Sequence, residues 1–324
     1  MDHLINTFEK LNGLLFEGWL QPLLFELGCV NLAEDAYMAS EWFLLGVLQI
    51  AIMVVLIRPL EKFFALEKHQ EPASVRVDVM YTLIQTLGLF RLFFFLLFSM
   101  PIDWIWGYLR TLGVPTFHLE LLIPGLADQP LMSFLVYLVV FDFFNYWIHR
   151  AQHQIPAWWA LHALHHSQRS MSYWTDSRGH LLDDVLLALV GVLMSSLIGL
   201  QPGQFVGLIV VSRLFESVQH ANIDLRWWGV LEKLWVSPRF HRTHHAVGIG
   251  HEFKDGQLGG HNFGVLLPWW DIMWGTANFS HHYEPTGVRD QVFEGVSYGD
   301  GFWEQQWLGL KRLWVTLVNT HRAH

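Results

Sequence analysis

The run LMSFLVYLVVFDFFNYWIHRAQHQIPAWWALHALHHS, Leu131 to Ser167, decides the fold. Its first half, Leu131 to Ile148, is apolar and close to the ~20 residues that a helix needs to cross a bilayer. Its second half places His149, His153, His162, His165 and His166 within 18 residues. His149 and His153 are four apart, so a helix puts both on one face, one turn apart. Pro156 ends that helix, because proline has no N–H and clashes with the preceding turn. The chain can then fold back and set the two histidine clusters face to face. His162, His165 and His166 stand at i, i+3 and i+4, so His162 neighbours both others and each cluster can present imidazoles toward a common point. The expected architecture is all-α, a multi-span membrane helical bundle that carries a histidine-rich cap.

Outward from this stretch, the rest of the sequence agrees. Of the 324 residues, 52% are hydrophobic and 15% charged, against roughly 25% charged in a soluble domain. Trp42 to Leu60 and Val79 to Met100 read as two further spans, the second broken only by Arg91. Val185 to Leu200 and Phe205 to Val218 flank the turn QPGQ and read as a hairpin, spanning or re-entrant. From about Ala221 the chain is rich in Gly, Trp and His, with no clear long helix before Phe302 to Val318. That part reads as a cap against the membrane face. The expected divisions are a membrane region 1–130, a catalytic region 131–287 and a C-terminal segment 288–324.

Loop charges give an orientation. Arg58, Lys62, Lys68 and Arg76 lie between the first two runs, whereas only Arg110 lies between Pro101 and Pro130. Lys and Arg favour the cytoplasmic side. The third span then delivers His149 to that side, and the hairpin returns to it ahead of Arg226, Lys233 and Arg239. Both ends of the histidine-bearing region are thus expected on the cytoplasmic face. The N-terminus MDHLINTFEK has no basic segment before an apolar stretch and does not read as a signal peptide. The net charge of −9, without a basic block, argues against nucleic acid as a partner. Cys29, the only cysteine, excludes an internal disulfide, a cysteine-ligated zinc site and an iron–sulfur cluster held by this chain.

His241, His244 and His245 repeat the H-x-x-H-H spacing of the second cluster. Imidazole is the commonest metal ligand and suits iron, zinc, copper and nickel. Eight clustered imidazoles exceed what one ion holds, and two ions with four or more nitrogens each fit the number. Without metal, such packing is unfavourable: protonated rings repel, and neutral rings need many hydrogen-bond partners.

The stretches Asp142–His153, Trp158–Ser167, QHAN (Gln219–Asn222), VSPRFHRTHH (Val236–His245), HNFGVLLPWWD (His261–Asp271) and EPTG (Glu284–Gly287) carry a resemblance. The chain resembles the fatty acid hydroxylase and sterol desaturase superfamily of integral-membrane di-metal oxygenases, over about Leu131 to Gly287. The resemblance implies that His149, His153, His162, His165, His166, His241, His244 and His245 are metal ligands, with His220 a ninth. Two departures stand out. Glu216 occupies a position where some members have a further histidine, as a carboxylate ligand, an orienting acceptor or a solvated group. Leu181 follows Arg178-Gly179-His180 where the family often has proline, which leaves His180 either a tenth ligand, an orienting group or without a metal role. Asp142, Asp183, Asp184, Asp224, Asn222 and Asn262 are candidates to orient imidazoles. Trp147, Trp158, Trp159, Trp227, Trp228, Trp235, Trp269 and Trp270 suit an interfacial belt. The other histidines, His3, His69, His118, His251, His261, His281, His282, His321 and His324, lack ligand spacing and are expected mostly at the surface.

The implied activity is O2-dependent hydroxylation or desaturation of a membrane lipid, sterol-like or fatty-acyl. Carotenoid and alkylglycerol hydroxylases of the same superfamily are the alternatives. A lipid C–H bond yields only to a strong oxidant, which no side chain is. Two non-haem iron ions with dioxygen supply one. No catalytic residue is expected beyond the metal ligands. The sequence holds neither a G-x-G-x-x-G fingerprint nor an H-P-G-G segment, so a ferredoxin or a cytochrome b5 is the expected external electron donor. A membrane metal-binding protein, a b-type haem protein and a zinc hydrolase are the other classes. Haem takes one or two histidines per group from mid-membrane, and the hydrolase motif H-E-x-x-H is absent from the sequence.

Overall fold

The computed structural model describes residues 2–68, 71–225, 229–254, 257–280 and 282–322. Arg226, Trp227, Trp228, His69, His281 and His324, placed by sequence above, lie outside them, as does the side chain of His321. The helices in chain order are α1 (Asp2–Leu15), α2 (Gln21–Glu26), α3 (Ala33–Ile52), α4 (Arg58–Phe63), α5 (Pro72–Thr86), α6 (Leu89–Thr111) and α7 (Leu119–Leu122). Then follow α8 (Pro130–Gln154), α9 (Pro156–His166), α10 (Leu181–Ile198), α11 (Pro202–His220), α12 (Leu231–Leu234), α13 (Pro238–His244), α14 (Trp269–Trp274) and α15 (Phe302–Arg322). Two short antiparallel strands, β1 (Glu252–Lys254) and β2 (Gln257–Leu258), interrupt this all-α pattern. Pro72, Pro130, Pro156, Pro202 and Pro238 each open a helix, where the missing N–H has no partner to lose.

Among the described residues, four helical stretches are long and apolar enough to cross a membrane: Val30–Phe63, Leu89–Thr111, Pro130–Gln154 and Leu181–Ile198. The first is a continuous rod through α3 and α4, with a π turn at Met53–Ile57. Only 6% of the most apolar window of Leu89–Thr111 is buried. Phe93, Leu96, Leu97 and Met100 are exposed, as suits side chains solvated by lipid rather than water. The first and third expected spans therefore form, with longer boundaries. Of the expected hairpin, α10 meets the criterion and α11, which carries Arg213 and Glu216, is its more polar return.

The second expected span is corrected. Val79 to Met100 is two helices, α5 and α6, that break at Leu87-Gly88. Gly88 adopts φ +86°, a left-handed conformation that residues with a Cβ avoid. Hydropathy is high on both sides of the joint, so an apolar run alone hides it. Gly46, on α3, lets the carbonyl of Thr86 approach closer than any Cβ would allow, which packs the end of α5 into the middle of the first rod.

The remainder closes over one end of the bundle. Asp142, on α8, accepts hydrogen bonds from the N–H groups of Leu266 (2.8 Å) and Leu267 (3.1 Å) and from Trp270 Nε1 (2.9 Å). Val236 N–H donates to the Leu266 carbonyl at 2.8 Å. Asp224 N–H donates to the Phe64 carbonyl at 2.9 Å, which ties the cap to the end of the first rod. The helix α15 lies along α9. There Arg312 Nε donates to the Ala160 carbonyl at 3.2 Å, and Gln306 bonds Tyr81 of α5 at 2.9 Å.

Candidate metal centre

Four helix ends meet beneath this cap. His149 and His153 occupy the last turns of α8, which stops at Gln154. Ile155 is extended and Pro156 starts α9, so His162, His165 and His166 return toward α8, as the proline placement predicts. Ser237 caps α13 by accepting from Phe240 N–H at 3.1 Å, which fixes the helix bearing His241 and His244, with His245 at its C-cap. His220 is the last residue of α11.

The structure brings all nine sequence-predicted histidines together, in two groups. One nitrogen from each of His149, His153, His162, His166 and His244 lies within 4.8 Å of the others, and His165, His220, His241 and His245 form a second such group. The H-x-x-H-H clusters do not each serve a common point, as their spacing was read. In both, the i, i+4 pair serves one group and the i+3 residue the other. Residues i+3 and i+4 are about 100° apart around the axis, so each cluster straddles two points. The rings of His166 and His245 stack between the groups, with centroids 4.3 Å apart.

Hydrogen bonds fix which ring nitrogen is free. His149 Nδ1 donates to the Phe263 carbonyl (2.9 Å), His165 Nδ1 to that of Arg178 (2.9 Å), His220 Nδ1 to that of Glu216 (2.7 Å) and His244 Nδ1 to that of His261 (2.8 Å). His162 Nδ1 donates to Asp183 at 3.1 Å. A carbonyl or carboxylate oxygen accepts, so each of these rings keeps a proton on Nδ1, which leaves Nε2 as the nitrogen with a lone pair to offer. The lone pairs of His165 and His220 then face each other across 3.2 Å, with no proton between them. The Nε2 atoms of His162 and His244, and both ring nitrogens of His153, His166 and His245, are buried without a hydrogen-bond partner. Burial first, and neighbouring imidazoles second, hold His165, His166, His241, His244 and His245 well below the usual histidine pKa. Converging imidazole nitrogens, most of them without a hydrogen-bond partner, fit cations, and the donor set suits two ions.

Of the acids and amides expected to orient imidazoles, Asp183 does so directly. It also accepts from Gln152 (2.9 Å) and Trp158 (2.7 Å). Asp184 accepts from Gln85 and Asp224 from Tyr283, while Asn222 bonds the backbone of Glu67 and Asn262 bonds that of Phe240, on α13, and of Asn278. These, like Asp142, hold the architecture rather than a ring. His180 is a helix cap: its Nδ1 accepts from Leu182 N–H and its Nε2 donates to the Gln306 carbonyl at 2.9 Å. Its two nitrogens are used, so it is not a tenth ligand. Glu216 contributes its backbone carbonyl to His220, and its carboxylate faces Arg213 at 3.4 Å. Trp158 and Trp270 donate to the buried acids Asp183 and Asp142 and Trp159 packs on His153 at 4.9 Å, so these three have internal partners beyond an interfacial belt.

Sequence reasoning missed His251. It is 2% exposed rather than at the surface, with both nitrogens unpartnered. It stacks on Trp159 at 5.2 Å and lies 6.2 Å from His166, ring to ring. The glycines just before it, Gly248 and Gly250, were the available signal: a Cβ on Gly250 would overlap the His244 carbonyl, so the turn folds back against α13. His3, His118 and His282 are exposed, as expected, and His261 is half-buried.

A cavity of about 420 Å³ leads from the histidines into the bundle. His149, His162, His165, His220 and His241 line one end, and Phe90, Phe94, Phe141, Leu187 and Phe205 stand among its apolar walls.

Residues 134–276 match the family model described as Fatty acid hydroxylase. The chain is 31% identical to the ornithine lipid hydroxylase OlsE of Rhizobium tropici, over 52% of this chain and 50% of that protein. It is 25% identical to an alkylglycerol monooxygenase of Caenorhabditis elegans (55% and 32%) and 27% identical to methylsterol monooxygenase 1-3 of Arabidopsis thaliana (52% and 57%). The chain spans about half the length of the curated relatives it matches, or less. No solved structure matches it.

Proposed function

We propose that this chain, which belongs to the fatty acid hydroxylase and sterol desaturase superfamily through residues 134–276, is an integral-membrane, O2-dependent oxidoreductase that hydroxylates or desaturates a lipid with two non-haem iron ions. The observation that carries the reading is the convergence of imidazole nitrogens, in one group of five and one of four, at the end of a cavity walled by membrane-length helices. His149, His153, His162, His166 and His244 would hold one ion, and His165, His220, His241 and His245 the other. When bound, such ions supply dioxygen activation, which no side chain offers.

The chain's own residues do the rest. Carbonyls and Asp183 fix ring tautomers and raise ligand basicity through the far nitrogen. Burial excludes water and keeps the rings neutral. The apolar cavity presents an alkyl chain or ring system to the imidazoles, and the relatives' names, each a lipid hydroxylase or monooxygenase, support a lipid as its occupant. The Lys and Arg excess from the end of the first rod to the start of α5 (Arg58, Lys62, Lys68 and Arg76) supports a cytoplasmic cap. A cytoplasmic ferredoxin or cytochrome b5 would reach the centre there as electron donor.

Purified protein is expected to hold two irons per chain and to show no haem absorbance. Cells expressing it aerobically are expected to gain one oxygenated or unsaturated lipid that cells expressing His244→Ala lack. One ion per chain, or an unchanged lipid profile with a loaded protein, overturns the reading.

A further inference from the structure

Two arginines stand in the wall of the cavity that ends at the histidines. Arg213, on α11, is paired: its Nη1 lies 3.6 Å from Asp176 and 3.4 Å from Glu216. Arg91, in the first turn of α6, lies over the face of Trp42, 3.9 Å from the ring centroid. No carboxylate among the described residues pairs with it, and Arg213, the other arginine of the same cavity wall, has a charge of like sign. A cation within a membrane-length helix is costly, and such residues ordinarily mark a ligand path or a counter-ion. The Trp42 face offsets part of that cost. Like charge from Arg213 adds to it, and an anion beside Arg91 relieves both.

The cavity also dictates which way round such a ligand lies. Arg213, Glu216 and His220 follow each other at i, i+3 and i+7 on one face of α11. Arg213 therefore stands about 10 Å along the helix from the imidazole end. Asp176 and Glu216 mark the imidazole end: Asp176 Oδ1 lies 3.9 Å from His220 Nδ1, Glu216 precedes His220 by one turn, and both face Arg213 rather than a ligand. Phe90 and Phe94, on α6 with Arg91, supply apolar wall.

We propose that Arg91 is an anion anchor: it binds the carboxylate or phosphate of an amphiphilic lipid and so sets which carbon of that lipid lies at the histidines. Arg91 is a positioning and specificity residue, and its role deepens the lipid-oxidoreductase reading on which it rests.

The test uses the full chain in non-ionic detergent and three probes of equal chain length: palmitate, hexadecyl phosphate and hexadecanol. Equilibrium binding of each is measured on wild type, Arg91→Gln and Arg91→Lys, with metal content read on the same samples. At least one anionic probe is expected to bind ~10-fold or more tightly than hexadecanol, the scale of a charge-assisted contact. Whichever anion binds tighter names the group. Arg91→Gln is expected to bring the preference within ~2-fold and leave hexadecanol binding and metal content unchanged, while Arg91→Lys keeps part of it. Equal binding of the three probes by wild type overturns the anchor, with no variant needed. So does a preference that survives in Arg91→Gln. Failure to load metal while the preference persists overturns the oxygenase reading instead.

Discussion

Asp183 shows how much of the centre depends on single hydrogen bonds. Its carboxylate, 4% exposed, takes N–H groups from Gln152, Trp158 and His162. Asp183→Asn turns one acceptor oxygen into a donor and leaves at least one of those buried N–H groups unpaired, at about 1–3 kcal/mol. It is expected to lower metal affinity ~10–100-fold, measured as metal retained against a series of chelator concentrations; unchanged retention sinks the orienting role. His251 makes a second prediction. Burial drives its pKa down to about 4, against about 6.5 in an unfolded chain. Between those values the unfolded state binds the extra proton, so stability is lost as pH falls from about 6.5 toward 4, by up to about 3 kcal/mol. His251→Phe keeps a ring against Trp159 and removes that proton. Its unfolding temperature should fall less than wild type's over this pH range, and parallel curves would refute the assignment. At this scale the imidazoles were legible because ligand side chains must be histidine and must recur at helical spacing. Their orienting carbonyls were not, since every residue carries one. His251 was not either, because a glycine-permitted turn, not helical periodicity, brings it in.

The short helix α13 concentrates the same dependence in one element. It spans Pro238–His244, too short to persist alone in water. Ser237 holds its start in two directions: it accepts from Phe240 N–H and donates to Glu232 at 3.0 Å. Ser237→Ala removes the cap, at about 0.5–2 kcal/mol, and leaves Glu232 with one partner fewer. The element carries His241, His244 and, at its cap, His245, which belong to both groups, so its fraying loosens both at once. Ser237→Ala is expected to lower the unfolding temperature and speed metal loss, with Ser237→Thr restoring most of each. Equal off-rates in Ser237→Ala and wild type would show that the cap does not govern the centre. This boundary was not read from the sequence, although Ser-Pro ahead of an H-x-x-H-H run has the composition of a helix start. Nor was the α5–α6 joint legible: one glycine, Gly88, bends an apolar stretch whose hydropathy never drops. The splitting of each H-x-x-H-H cluster between two groups was also invisible, because spacing fixes angles around one axis and not the positions of two targets.

For the whole molecule, the rod Val30–Phe63 settles what must be measured. Its 34 residues extend about 50 Å at 1.5 Å per residue, well beyond the ~30 Å hydrocarbon core. One end is fastened to the cap, where Asp224 N–H meets the Phe64 carbonyl. The other end begins beside Cys29, a half-buried thiol and the only cysteine. A rod of this length that crosses the bilayer puts Cys29 and the histidines on opposite sides. The proposed orientation, which rests on the charges from Arg58 to Arg76 against Arg110 alone, has the cap facing the cytoplasm. Cys29 in intact cells is therefore expected to react with a membrane-impermeant maleimide. In a Cys29→Ser background, a cysteine placed at the exposed cap residue Ser297 should react only after permeabilisation. Labelling of both thiols from outside would mean that the rod does not cross. Labelling of the cap thiol alone would invert the orientation and remove the route for a cytoplasmic electron donor, while leaving the geometry of the nine imidazoles as it stands.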